Sequence, residues 1–153
     1  MIPQVTTGPI TGSSKVYLSP DGHDDVRVPF REISLHPESA EPPFRTYDPS
    51  GPYTDQNAAI DVERGLPRHR LSWINGNSHI ESYQGRDVKP EDNGHVSGVH
   101  AARMFPNVPQ PMRGVGDAQV TQYEFARAGI ITKEMIYVAH RENLGRAAAL
   151  DRA

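Results

Sequence analysis

The chain contains no cysteine. That absence excludes disulfides and removes the thiolates that hold iron–sulfur clusters and most structural zinc. Apolar residues are also scarce, at 36% of 153 residues with aromatics at 7%, and the mean hydropathy is −0.62. A core can form, but a modest one. No apolar run approaches the roughly 18 residues that a spanning helix needs, so no membrane partner is expected. The first residues, Met1-Ile2-Pro3-Gln4, lack the charged-then-apolar order of a signal peptide, and the expected compartment is the cytosol. There is no long basic run and the net charge is −3, so no nucleic acid partner is expected. No internal repeat or heptad run appears.

What is abundant is punctuation: 13 glycines and 14 prolines, which give turns and loops a large share of the chain. The densest stretch is Tyr47-Asp48-Pro49-Ser50-Gly51-Pro52-Tyr53-Thr54-Asp55. Its two prolines fix φ and remove donors, and Gly51 can take φ > 0. The run reads as an ordered turn between a strand at Phe44–Tyr47 and a helix beginning at Thr54 or Asp55.

The expected fold class is α+β: a small antiparallel sheet with helices, a long irregular loop, and a helical hairpin at the C-terminal end. Residues 1–14 read as a flexible arm. Residues 15–74 hold the sheet and a helix. Lys15–Leu18 is a strand stopped by Ser19-Pro20-Asp21-Gly22. Val26, Val28 and Phe30 alternate as a half-buried strand running to Leu35. The phase change at Arg31-Glu32 predicts a bulge, and Pro29 predicts an edge position or that same bulge. After the turn, Ala58, Ala59 and Val62 make a helical stripe closed by Gly65 and Pro67. Leu71, Trp73 and Ile74 form an apolar island. Residues 75–116 read as a loop-rich insertion anchored by Tyr83, Val99, Met104 and Phe105. In 117–153, Asp117 caps a helix to about Ala128, Gly129 follows as its C′ glycine, and Thr132 caps the last helix with Ile131 and Ile136 at the staple positions. Met135, Val138, Ala139, Glu142 and Arg146 recur along that helix at helical spacing.

Candidate chemistry is thin. Seven histidines, at 23, 36, 69, 79, 95, 100 and 140, include no i, i+4 pair of the zinc type, and solvated loop histidines are the better reading even for His95 and His100. Ser50 lacks a G-x-S-x-G setting and reads as a turn serine bonded to its own backbone. Asp48, Asp55 and Asp61 could gather a cation, but an Asx-type turn, a helix cap and a solvated side chain account for them. Gly114-Val115-Gly116 lacks the strand and third glycine of a phosphate loop, and Asp117 would repel an anion. Arg127, Arg141, Glu142 and Asn143 are either a docking surface of fixed hydrogen bonds and ion pairs or an ordinary solvated helix face. A stand-alone hydrolase is disfavoured, because no nucleophile and base are suitably spaced.

The turn resembles YDTSGPYTD, the signature near the N-terminus of the ThiC family, the phosphomethylpyrimidine synthases of thiamine biosynthesis; Pro49 stands where the family has Thr. Other blocks resemble the family in the same order. They are Ser14-Lys15-Val16-Tyr17, Val26-Arg27-Val28-Pro29-Phe30-Arg31-Glu32-Ile33, Gly65-Leu66-Pro67, Val120-Thr121-Gln122, Ala126 through Met135, and Arg141-Glu142-Asn143. The match is poor near 75–117, and His140 stands where the family has a small or aliphatic residue.

The resemblance implies the N-terminal portion, the ThiC-associated domain, of a longer lyase. That enzyme converts 5-aminoimidazole ribotide and S-adenosylmethionine to 4-amino-5-hydroxymethyl-2-methylpyrimidine phosphate by radical rearrangement. It uses a 4Fe–4S cluster held by a CxxCxxxxC motif, S-adenosylmethionine and zinc, and it is a homodimer. The resemblance implies that the residues for that chemistry lie beyond Ala153. The chain is therefore expected to hold no catalytic, cofactor-binding or metal residue and to be inactive alone. Its implied partners are its own catalytic barrel and C-terminal domain. The structural or docking candidates are Tyr47, Asp48, Ser50, Gly51, Pro52, Tyr53, Gln122, Arg127, Arg141, Glu142 and Asn143. The alternative is a free-standing, non-catalytic interaction module.

Overall fold

The structure is a computed structural model, and it describes residues 10–61, 64–87, 89–92 and 109–150. The expectations placed on residues 1–9, Val62, His95, Val99, His100, Met104 and Phe105 lie outside the described residues. In chain order the elements are β1 (Ser13–Leu18), β2 (Val28–Ile33), β3 (Phe44–Tyr47), α1 (Leu71–Asn75), β4 (Ile80–Ser82), β5 (Met112–Gly114), α2 (Gln122–Arg127) and α3 (Lys133–Leu150). The α+β class follows directly. No helix among the described residues is long and apolar enough to cross a membrane.

The chain divides into two compact units, one holding residues 60–124 and the other residues 6–59 with 125–153. The latter is built on the antiparallel sheet β1-β2-β3. Its register sets Lys15 opposite Arg31, Val16 opposite Phe30, and Phe30 opposite Tyr47. Strand alternation then sorts the side chains. Lys15, Tyr17, Arg31 and Thr46 share one face; Val16, Val28, Phe30 and Tyr47 share the other. Among the described residues, Val26, Val28, Phe30 and Phe125 form the buried hydrophobic core, each contributing about 1.5–3 kcal/mol of burial.

Three expectations for the sheet are corrected. The first strand begins at Ser13, inside the span read as an arm. The register of β2 runs unbroken through Arg31 and Glu32 on both sides, so no bulge forms there. Pro29 lies in the central strand and not at an edge. It is tolerated because its carbonyl accepts from Asp48 N at 3.1 Å, just past the end of β3. A strand residue's N and O point to the same neighbour. The missing donor therefore faces the place where β3 has already stopped pairing, and β1 loses nothing.

The helix expected from Thr54 does not form. Gly51–Thr54 is a 3-10 turn, and Asp55 behind it is extended, with φ −98° and ψ 113°. The Asp55 carboxylate accepts from Asn57 N at 2.9 Å and from Tyr17 Oη at 2.8 Å. That local bonding competes with helix propagation, and two alanines offer little apolar stripe to oppose it.

The C-terminal pair of helices does form. Glu124 at the third position accepts from Thr121 N and Oγ1, and its own backbone N–H donates to Thr121 Oγ1 at 3.2 Å. This capping box starts α2 at Gln122, displacing the expected start at Asp117. Gly129, at φ +74°, ends it: Gly129 N donates to Ala126 O at 3.0 Å and Ile130 N to Phe125 O at 2.8 Å, the paired bonds of a Schellman motif. Thr132 caps α3 through Met135 N at 3.3 Å. Ile131 is 75% exposed, so the expected staple is not closed by burial.

The other unit corrects the loop reading of 75–116. Leu71–Asn75 turns the apolar island into the short helix α1, and β4 pairs antiparallel with β5, Glu81 opposite Arg113. Their ion pair, at 2.9 Å, joins residues far apart in the chain. Three-residue strands carrying little apolar alternation leave no period to read.

Candidate functional site

The signature turn folds over the polar face of the sheet. Asp48 follows β3 and keeps its alternation, so its carboxylate points to the side that carries Lys15 and Arg31. It lies inside: Asp48 is 4% exposed, and the side chains of Lys15 and Arg31 are 2% and 9% exposed. Asp48 Oδ2 sits 2.6 Å from Arg31 Nη2 and 3.4 Å from Lys15 Nζ, charge contacts lying off the line of a hydrogen bond. Asp48 Oδ1 accepts from Ser50 N at 2.9 Å and from the Ser50 hydroxyl, which makes the Asx turn.

The hydroxyls assign themselves by elimination. Ser50 has one proton, and it goes to Asp48. Ser50 Oγ therefore accepts from Thr54 Oγ1 at 2.5 Å and from Lys15 Nζ at 3.2 Å. Thr54 Oγ1 in turn accepts from Arg31 Nη2 at 2.5 Å. Lys15 Nζ also donates to Gly51 O at 2.5 Å. Both lone pairs and the proton of Ser50 are engaged. It is not bonded to its own backbone as expected from sequence, and it has nothing left with which to attack a substrate.

Two residues shape the turn that delivers these groups. Gly51 has φ +65°, a conformation that costs a side chain roughly 1–2 kcal/mol. Pro52, next to it, is buried and occupies the first turn of the 3-10 segment, where a missing N–H costs nothing. Pro49 is exposed.

The electrostatics follow the geometry. Burial of Asp48 opposes its charge. Hydrogen bonds from the Ser50 side chain and amide, with the charges of Lys15 and Arg31, outweigh it and hold the carboxyl below the usual carboxylate range. At the next position along the same face, burial of Tyr17 and its hydrogen bond to Asp55 push the phenol up to about 12. The Arg27 guanidinium lies 4.4 Å from the centre of the Tyr17 ring.

On the other face Tyr47 meets the last helix. Its hydroxyl is 3.2 Å from that of Tyr137, its ring is edge-on to Phe30, and Arg141 Cζ lies 5.1 Å from its ring centre. Burial, then the bond to Tyr47, raises the Tyr137 phenol well above its ordinary range.

The candidates read from sequence separate accordingly. Asp48 and Ser50 lie inside the clasp with Gly51 and Pro52 shaping it, and Tyr53 is 49% exposed. Gln122, Arg127, Glu142 and Asn143 are exposed, whereas Arg141 is partly covered and bound to Tyr47 and Glu142. The sequence reading missed Lys15, Tyr17, Arg31 and Thr54. The available signal was alternation: period two places Lys15 and Arg31 on one face, and Asp48 continues that face from β3. Among the described residues, no group of three or more His, Asp or Glu side chains could hold a metal ion.

Residues 9–81 match the family model described as the ThiC-associated domain. The matched span contains all three strands of the sheet, the Tyr47–Asp55 turn and every side chain of the buried clasp; α2 and α3 lie outside it. Over residues 9–81 the chain is similar to the ThiC-associated domain, a match consistent with the N-terminal region of ThiC.

Proposed function

We propose that this chain is the N-terminal portion of a phosphomethylpyrimidine synthase and that its role there is structural, docking against the enzyme's own catalytic barrel. The observation that carries this reading is the clasp. The polar groups of the matched segment engage one another, so the signature supplies a rigid turn and no free nucleophile or base. Tyr53, Arg127, Glu142 and Asn143 are exposed and are the side chains proposed to meet the barrel or the other subunit of a homodimer. The cytosol is the compartment that accompanies this reading.

The residues present do not fit the groups the reaction needs. The chain has no thiolate for a 4Fe–4S cluster, and among the described residues nothing gathers ligands for zinc. The cluster, zinc and S-adenosylmethionine belong, in this proposal, to the remainder of the enzyme. The conversion of aminoimidazole ribotide to the hydroxymethylpyrimidine phosphate is assigned no step on residues 1–153.

The test compares a full-length enzyme with its catalytic portion lacking this domain. The expected result is that the shortened enzyme loses stability and dimerisation, and that the 153-residue chain alone forms no product from ribotide, S-adenosylmethionine and reductant. A shortened enzyme with unchanged turnover, melting temperature and dimerisation overturns the docking role, and a free-standing interaction module takes its place.

A further inference from the structure

We propose that α3 is a separable strap, held to the sheet by a polar latch that opens while the sheet and its clasp stay folded. The latch is one stripe of the helix. Lys133, Tyr137 and Arg141 stand at i, i+4 and i+8, which places them on one face. Lys133 pairs with Asp25 ahead of β2, the Tyr137 hydroxyl meets the Tyr47 hydroxyl at 3.2 Å, and Arg141 lies over the Tyr47 ring at 5.1 Å. Two of the three contacts converge on a single side chain, Tyr47.

Beyond that stripe the helix is only partly covered: Met135, Ile136, His140 and Leu144 are half-buried, no side chain from Lys133 to Ala147 is fully buried, and Val138, Ala139, Glu142, Asn143, Arg146 and Ala147 are exposed. The Lys133–Asp25 pair is about half exposed on both sides, and exposed ion pairs contribute weakly. The sheet is closed differently: Val26 and Val28 are fully buried, and the Asp48 clasp seals its other face. Local stability follows buried contacts, so two regions this unequal open at different free energies. Opening uncovers the hydroxyl and ring of Tyr47 and the edge of the apolar face that carries Phe30.

Native-state hydrogen exchange on the 153-residue chain tests this. The expected result is that amides from Tyr137 to Ala147 exchange through a common opening, faster by roughly tenfold or more than those of Val28, Phe30 and Arg31. Tyr137→Phe removes the hydroxyl contact and should speed helix exchange by roughly 2- to 13-fold while leaving β2 unchanged. Lys133→Ala alters only a surface contact and should speed helix exchange by a smaller factor, roughly 1.4- to 5-fold, again with β2 unchanged; it serves as the readout should Tyr137→Phe fail to fold. Helix and β2 amides that share one rate in the wild type, or that respond alike to these substitutions, overturn the proposal.

Discussion

Replacing Asp48 should damage this fold more than any other single change to its polar side chains. Asp48→Ala leaves the Lys15 and Arg31 side chains, 2% and 9% exposed, with no anion between them. Removing one partner of a buried ion pair costs roughly 3–5 kcal/mol, chiefly because the surviving charge stays desolvated. The lost bonds from Ser50 N and the Ser50 hydroxyl add about 1 kcal/mol each. A domain of this size has a total stability of about 5–15 kcal/mol, so the variant should be marginal. Asp48→Asn separates the two contributions: it keeps an acceptor for Ser50 N and the Ser50 hydroxyl and removes only the charge. It should therefore recover about 2 kcal/mol of the loss and no more. The triple change Lys15→Met, Arg31→Met, Asp48→Leu leaves no charge to desolvate and should recover most of the stability. Urea unfolding at pH 7, followed by circular dichroism, reads all three. An Asp48→Ala chain within 1 kcal/mol of wild type would refute the reasoning, since it would mean that water reaches the two cations.

Acid should weaken the same clasp. The Asp48 carboxyl lies below its ordinary value in the folded state, so its contribution is complete above the unfolded value of about 4 and is lost as pH falls through the folded value; Asp48→Asn should flatten that limb of a stability–pH curve. At the alkaline end, Tyr17 is raised to about 12, so its contribution is whole below about 10 and declines as pH climbs toward 12; ultraviolet titration should show two late-ionising tyrosines, Tyr17 and Tyr137, of which Tyr17→Phe removes one. Alanine should act in opposite directions at two glycines: Gly129→Ala meets no atom within 4 Å but sits at φ +74°, and should destabilise by roughly 1–2 kcal/mol. Gly145→Ala, inside α3 with open space around it, should stabilise the helix by roughly 0.5–1 kcal/mol; thermal melts of both variants check the pair.

What was legible in the sequence was local. Val26, Val28 and Phe30 alternate over a few residues, Thr132 and Gly129 mark helix ends by their own side-chain chemistry, and Pro49, Gly51 and Pro52 announce a turn. What was not legible depends on partners distant in the chain. Lys15 and Arg31 become neighbours only through the β1–β2 register, and the change of phase at Arg31 looked like a bulge because a buried arginine was not yet supplied with its anion. The helix after Thr54 failed for a similar reason: Asp55 looks like a cap until Tyr17, 38 residues earlier, claims one of its oxygens. The β4–β5 pair joins residues 32 positions apart and has too little apolar pattern to show itself.

The two faces of the one sheet explain why a signature so rich in functional groups reads as architecture. A three-stranded sheet must cover both faces, and this chain has too few apolar residues to do so twice. The Val28–Phe30 face takes the apolar share. The opposite face is covered by the nine-residue turn, whose polar side chains would be costly to bury unless each found a partner. Lys15, Arg31 and Tyr17 supply those partners from the strands beneath, and the turn supplies Asp48, Ser50, Thr54 and Asp55 from above. Each set is unsatisfied without the other. A change to one member therefore propagates through the whole cluster, and the substitutions least tolerated in the turn should be those inside the clasp, Asp48 before Ser50, with exposed Tyr53 tolerant unless a partner covers it.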